Sequence, residues 1–189
     1  MTTNSTLTND ALNSMQGFLR EGVLLKAEGR ETIKNSQSFY GRAAHFASLA
    51  RTSGATLAVI AAQWAATAGD RCDEGKAARI ATIGLVLETE RDWQLYDSLM
   101  TEYRRHVEKQ NGLSPEVARK VIEDIAALPG DTAATKAMLA LSTLQGLSRA
   151  AKDAARTARM EMTANAAAAI ESITDPTVKA AILAVMPRS

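Results

Sequence analysis

Asp131–Ile173, DTAATKAMLALSTLQGLSRAAKDAARTARMEMTANAAAAIESI, contains no proline and repeats small or apolar residues at alternating spacings of four and three. Ala137, Leu141, Leu144, Ser148, Ala151, Ala155, Ala158, Met162, Asn165 and Ala169 fall on that repeat. A period near 3.5 belongs to a helix with one continuous seam, whereas a strand alternates with a period of two. The segment therefore predicts a single long helix, roughly 60 Å at 1.5 Å per residue. That exceeds what a domain of this size needs to close its own core. Because most of the seam is alanine, any helix packed on it must lie close. Two arrangements satisfy the pattern: the helix pairs with a protein partner or a second copy, or it folds back along the middle of the chain as an antiparallel bundle. In the first arrangement Leu141, Leu144, Ala151, Ala155, Ala158 and Met162 are the expected interface residues.

Beside the seam stand Arg149, Lys152, Arg156 and Arg159, separated by three, four and three residues and hence on one helical face. Such a row is either a solvated or interhelical ion-pair face, or a track for phosphates in which each neutralised charge adds to a salt-dependent affinity. Asp153 and Glu161 lie on the same stretch, and no aromatic is interleaved for base stacking, which favours the first reading.

Upstream, Ser114-Pro115-Glu116 is a helix start: serine caps, proline is tolerated at the first helical position, and an early carboxylate suits the positive end of the dipole. Val117, Val121, Ile122 and Ile125 form its apolar face, Leu128-Pro129-Gly130 closes it, and Asp131-Thr132 opens the long helix. Downstream, Asp175-Pro176 repeats the start signal for a short final helix bearing Val178, Ile182, Leu183 and Met186. From Asp73 to Gln110 the helical period continues through Ile80, Ile83, Leu87, Trp93, Leu95, Tyr96, Leu99 and Tyr103. This is one helix, or two that part at the charged cluster Glu88 to Asp92, and Asn111-Gly112 ends it. Ala55 to Ala68 is apolar on most sides, which predicts the central core helix, stopped by Gly69. Two helices precede it. One opens at Ser36 or Ser38 with Phe39, Ala43, Phe46 and Ala50 on one face; the other opens near Thr8-Asn9-Asp10. Gly17, Gly22 and Gly29 weaken the latter by about 1 kcal/mol each, or mark close contact with another helix.

These elements predict an all-α protein, a helical bundle of about six or seven helices with a long Ala-rich C-terminal helix. Residues 1–130 form an N-terminal bundle region, and 131–189 the long helix and a short C-terminal one within the same domain. Apolar residues are 46% of the chain and aromatics only 4%, so Trp64 and Trp93 are expected as packing anchors. Lys and Arg number 22 against 21 for Asp and Glu, a net charge of +1 that argues against a dedicated polyanion binder. One cysteine, Cys72, makes no internal disulfide, and no secretory signal or membrane-length apolar run is present, which predicts a cytoplasmic protein without membrane contact.

Signatures of chemistry are sparse. With two histidines, His45 and His106, metal binding is thinly supplied; Glu102 and His106 read as a surface pair. Arg71 beside Cys72 favours the thiolate modestly, without a neighbouring histidine to make a nucleophile. Arg104-Arg105-His106 with Lys109 suits a helix C-terminus. Ala50, Gly54 and Ile60 have the spacing of a helix-turn-helix, but the second helix of that unit presents no cation to base edges. Neither catalytic, cofactor-binding nor metal-binding residues are predicted. The expected function is a non-enzymatic protein–protein interaction module, a self-associating scaffold, adaptor or inhibitor of the kind an accessory or viral gene supplies. The alternative is a nucleic-acid-binding oligomer, such as a viral small DNA-recognition subunit used in packaging, with Arg149, Lys152, Arg156 and Arg159 on phosphate. An enzyme lacking a recognisable motif ranks third.

Overall fold

A computed structural model describes residues 2–28, 33–108, 115–129 and 136–177. Among these the chain is all helical, without a strand: α1 (Thr2–Glu28), α2 (Ile33–Thr52), α3 (Leu57–Ala68), α4 (Glu74–Gly84), α5 (Glu90–Trp93), α6 (Tyr96–Glu108), α7 (Pro115–Ala126) and α8 (Lys136–Glu171). The chain forms two compact units, Met1–Ser148 and Arg149–Ser189, and their boundary falls inside α8.

In the first unit small residues decide which helix is central. α2 packs against α1, α3, α4, α5 and α6, and its Ala43, Ala44, Ala47 and Ala50 are completely buried. Two glycines set the closest crossings. A Cβ at Gly84 would collide with the Ala44 carbonyl, and one at Gly41 with the Trp93 backbone. Helix α3, expected at the centre, instead lies at the edge. It buries Ile60, Ala61 and Trp64, while Val59 is 41% exposed. Its apolar character on most sides comes from alanine, whose single methyl costs little to leave in water.

The stretch expected as one helix or two divides into three over its described residues: α4 ends at Gly84, ahead of the expected break at Glu88 to Asp92, and Glu90 to Asp92 lie within the short helix α5. Amide groups of Leu85, Val86 and Leu87 bond to the carbonyls of Thr82, Ile83 and Gly84, a tightened last turn that ends α4. Helix α5 then opens on a reciprocal cap: the Thr89 hydroxyl and amide donate to Asp92 Oδ2 at 2.8 and 3.3 Å, and the Asp92 amide donates back to the Thr89 carbonyl. Helix α7 begins at the predicted proline and buries Ala118, Ile122 and Ile125. Helix α1 starts well before Thr8 and runs on through Gly17 and Gly22.

Helix α8 joins the first unit through Ala137, Ala140, Leu144 and Ser148, which are buried. Lys136 Nζ caps α7 by donating to the Ala126 carbonyl at 2.8 Å and stands 3.6 Å from Glu88. After α8, Asp175 accepts from the Thr177 amide at 2.8 Å, the bond expected of a capping residue before Pro176. Gly29, Asn111-Gly112, Ser114, Gly130, Asp131-Thr132 and the apolar set Val178, Ile182, Leu183 and Met186 lie outside the described residues. No helix among the described residues is long and apolar enough to cross a membrane.

Candidate functional site

Two features stand out, one in each unit. The first is the seam of α8 within the second unit. Leu141 and Leu144, half-buried and buried, belong to the core of the first unit. Beyond Ser148 the same register continues with Ala151 half-buried and with Ala155, Ala158 and Met162 exposed, Met162 by 73%. Met160, beside them, is 64% exposed. Apolar side chains thus continue along the helical repeat in water. The four cations are also exposed, and among the described residues Arg149, Lys152, Arg156 and Arg159 form no ion pair.

The second feature is a cleft of ≈ 820 Å³ in the first unit. Short, well-capped elements build it. Helix α3 starts with the Thr56 hydroxyl accepting from the Val59 amide and stops at Gly69, whose φ of 70° is left-handed and whose amide returns to the Ala65 carbonyl. Asp73 then caps α4 by accepting from the Lys76 amide at 2.7 Å. These two caps fix the connector between them, and with it Asp70 and Arg71 at the cleft. Lys26 of α1, Tyr40 of α2, Trp64 of α3, Lys76 and Arg79 of α4, and Tyr96, Asp97, Met100 and Arg104 of α6 complete the lining. Tyr40 and Tyr96 are near parallel with ring centroids 6.5 Å apart, and Tyr40 lies 6.4 Å from Trp64. Burial, with Asp70 and Asp97 adding to it, pushes the Tyr40 hydroxyl above its ordinary range. Tyr96 is raised further, by complete burial first and then by Asp97 and Asp70. Both phenols therefore remain protonated donors near neutral pH.

Several expectations change in this setting. Cys72 is half-buried, and burial raises its thiol despite Lys76 nearby, so the modest thiolate preference inferred from Arg71 does not hold. Glu102 is buried, 6% exposed, and is no surface residue; the His106 side chain lies outside those described. Of the basic cluster ending the middle segment, Arg104 faces the cleft, a role with no local signature in the sequence. Trp64 is buried as an anchor. Trp93 donates through Nε1 to the Leu87 carbonyl at 3.2 Å and carries the Arg42 guanidinium 4.8 Å from its ring centre, the same guanidinium lying 4.0 Å from the centre of the Phe18 ring. Among the described residues, no three His, Cys, Asp or Glu side chains are grouped to hold a metal ion. The helix-turn-helix spacing corresponds to α2, a turn with Gly54 at φ 112°, and α3, whose exposed residues Ala58, Val59, Ala62 and Ala66 include no cation. Comparison with protein-family models, with curated proteins and with solved structures finds no match for this chain.

Proposed function

We propose that this protein is a non-enzymatic interaction module that self-associates through α8, its second unit pairing with that of another copy. One observation carries the reading: a heptad-spaced seam is buried at Ala137, Leu144 and Ser148 and stays in register, uncovered, at Ala155, Ala158 and Met162. Most helical stability in proteins comes from packing of an apolar face rather than from propensity, so this length of α8 gains stability by packing. A second copy is the occupant favoured by two properties. Small residues repeat on one stripe, so the same patch on two copies can meet closely about a two-fold axis. Asn165 interrupts that stripe once, the kind of single polar position that sets register in paired helices at some cost in stability.

Size-exclusion chromatography with light scattering on the full chain tests it. The expected mass is a multiple of 20.2 kDa. Ala155→Glu with Ala158→Glu, which places carboxylates in the junction while leaving exposed helix positions helical, is expected to return the single-chain mass with an unchanged circular dichroism spectrum. A wild-type mass of one chain over the whole accessible concentration range would end the proposal.

The four solvated, unpaired cations favour a second reading, contact with nucleic-acid phosphates along the flank of α8. On duplex DNA each neutralised phosphate contributes a slope of about −0.9 in log K against log salt. Replacing Arg149, Lys152, Arg156 and Arg159 by glutamine is then expected to weaken binding and flatten that slope by about 3.6 units. Self-association with no salt-dependent DNA binding retains the first reading alone.

A further inference from the structure

Charge around the cleft of the first unit is unevenly used. Five cations line it, Lys26, Arg71, Lys76, Arg79 and Arg104, against three carboxylates, Asp70, Asp73 and Asp97. Two of the carboxylates are already engaged: Asp70 pairs with Lys76 at 2.6 Å, and Asp73 holds the first turn of α4. Asp97 stands in the first turn of α6, where the positive end of the helix dipole suits it. By contrast, Lys26 and Arg71 are exposed and form no ion pair among the described residues. A concave wall with surplus positive charge concentrates anions from solution. Other parts of the lining have a different character: the half-buried Tyr40 ring and Met100 provide apolar surface, and the phenols of Tyr40 and Tyr96 supply donors. At ≈ 820 Å³ the space is far larger than an inorganic phosphate needs and lies within the roughly 300–1,000 Å³ typical of sites for small organic ligands.

We propose that this cleft binds a phosphorylated small molecule bearing a planar apolar group, its phosphate oxygens on Lys26 and Arg71 and its apolar part against Tyr40 and Met100. Arginine suits the phosphate end because its planar guanidinium donates two parallel hydrogen bonds to a phosphate, whereas lysine acts as a mobile point charge beside it. The proposal goes beyond α8, since every residue it uses lies in the first unit.

Isothermal titration of the full chain with ADP as the probe, and separately with pyrophosphate and with adenosine, tests both halves of the site. ADP is expected to bind saturably and at least about tenfold more tightly than either fragment. Arg71→Gln and Lys26→Gln are each expected to weaken ADP roughly tenfold, about 1.4 kcal/mol, without moving the melting temperature of the free protein. Two controls keep the location falsifiable: Arg91→Gln, an exposed cation outside the cleft, and glutamine at Arg149, Lys152, Arg156 and Arg159 together. Both should leave ADP affinity unchanged. The proposal is overturned by no saturable ADP binding at millimolar concentration, by pyrophosphate binding as tightly as ADP, by indifference to Arg71→Gln and Lys26→Gln, or by loss of binding in the α8 variant instead.

Discussion

A methyl group means opposite things at two glycines of the same unit. Gly17 is exposed within α1 and nothing lies within 4 Å of where its Cβ would be. Gly17→Ala is expected to stabilise the protein by about 0.5–1 kcal/mol, because alanine has less backbone freedom to lose in a helix. At Gly84 the added Cβ meets the Ala44 carbonyl and the His45 amide nitrogen, all of them backbone atoms, so α2 and α4 must separate. Gly84→Ala is expected to cost about 3 kcal/mol or more, the upper end for overpacking. Chemical denaturation of both variants measures the two signs. His45, on the same face of α2 as that crossing, adds a pH dependence. Burial lowers its pKa from the ordinary 6.5, outweighing the Gly84 backbone bond and Glu88, and its buried Nδ1 has no hydrogen-bond partner among the described residues. The folded state therefore binds the proton less readily than the unfolded chain does. Stability is full above pH 6.5 and falls as the pH drops from there through the lower folded value. Denaturation midpoints between pH 7.5 and 5 should decline more steeply for wild type than for His45→Gln; equal slopes would remove His45 as the cause.

Among the elements, α7 depends on a partner that comes late in the chain. Lys136 is 7% exposed, and its ammonium gives a charge-assisted bond to the Ala126 carbonyl at the negative end of α7. Lys136→Met retains the apolar stem and removes the bond. A loss of about 1.5–3 kcal/mol is expected, on the scale of a hydrogen bond to a charged group, and Glu88, 39% exposed, is solvated when its partner goes. A variant as stable as wild type would show that the cap adds nothing. The helices themselves were legible in the sequence, since Pro115, Gly69 and the Glu88–Asp92 cluster each act through local backbone chemistry that needs no distant neighbour. Rank within the core was not legible. Ala55–Ala68 reads as the most apolar stretch and ends at the edge, while α2, with Arg42 and His45 among its alanines, takes the centre. Burial here follows how closely backbones approach, and Gly41 and Gly84 carry that information only once their opposite helices are known.

On the scale of the whole molecule, the two candidate sites differ in the distance over which they are written. The α8 seam is a periodicity inside one helix, so its residues from Leu141 to Met162 follow from spacing alone. The cleft takes one side chain each from α1, α2 and α3, three from the connector before α4, two from α4 itself and four from α6, and Lys26, Tyr40 and Tyr96 have no neighbouring motif in the chain. Only the packing of those helices brings them together. The buried apolar cluster of the first unit, for its part, ends at Leu144. A chain stopped after Ser148 keeps every member of that cluster and the Lys136 cap, and loses the exposed continuation of the seam. It is expected to unfold cooperatively, with a melting temperature within a few degrees of the dilute full-length protein, and to have a single-chain mass by light scattering. The full chain should instead melt at a temperature that rises with its own concentration, because association binds only the native state. A shortened chain that still assembles would move the interface away from α8, and one that fails to fold would mean that residues after Ser148 are needed to hold the first unit together.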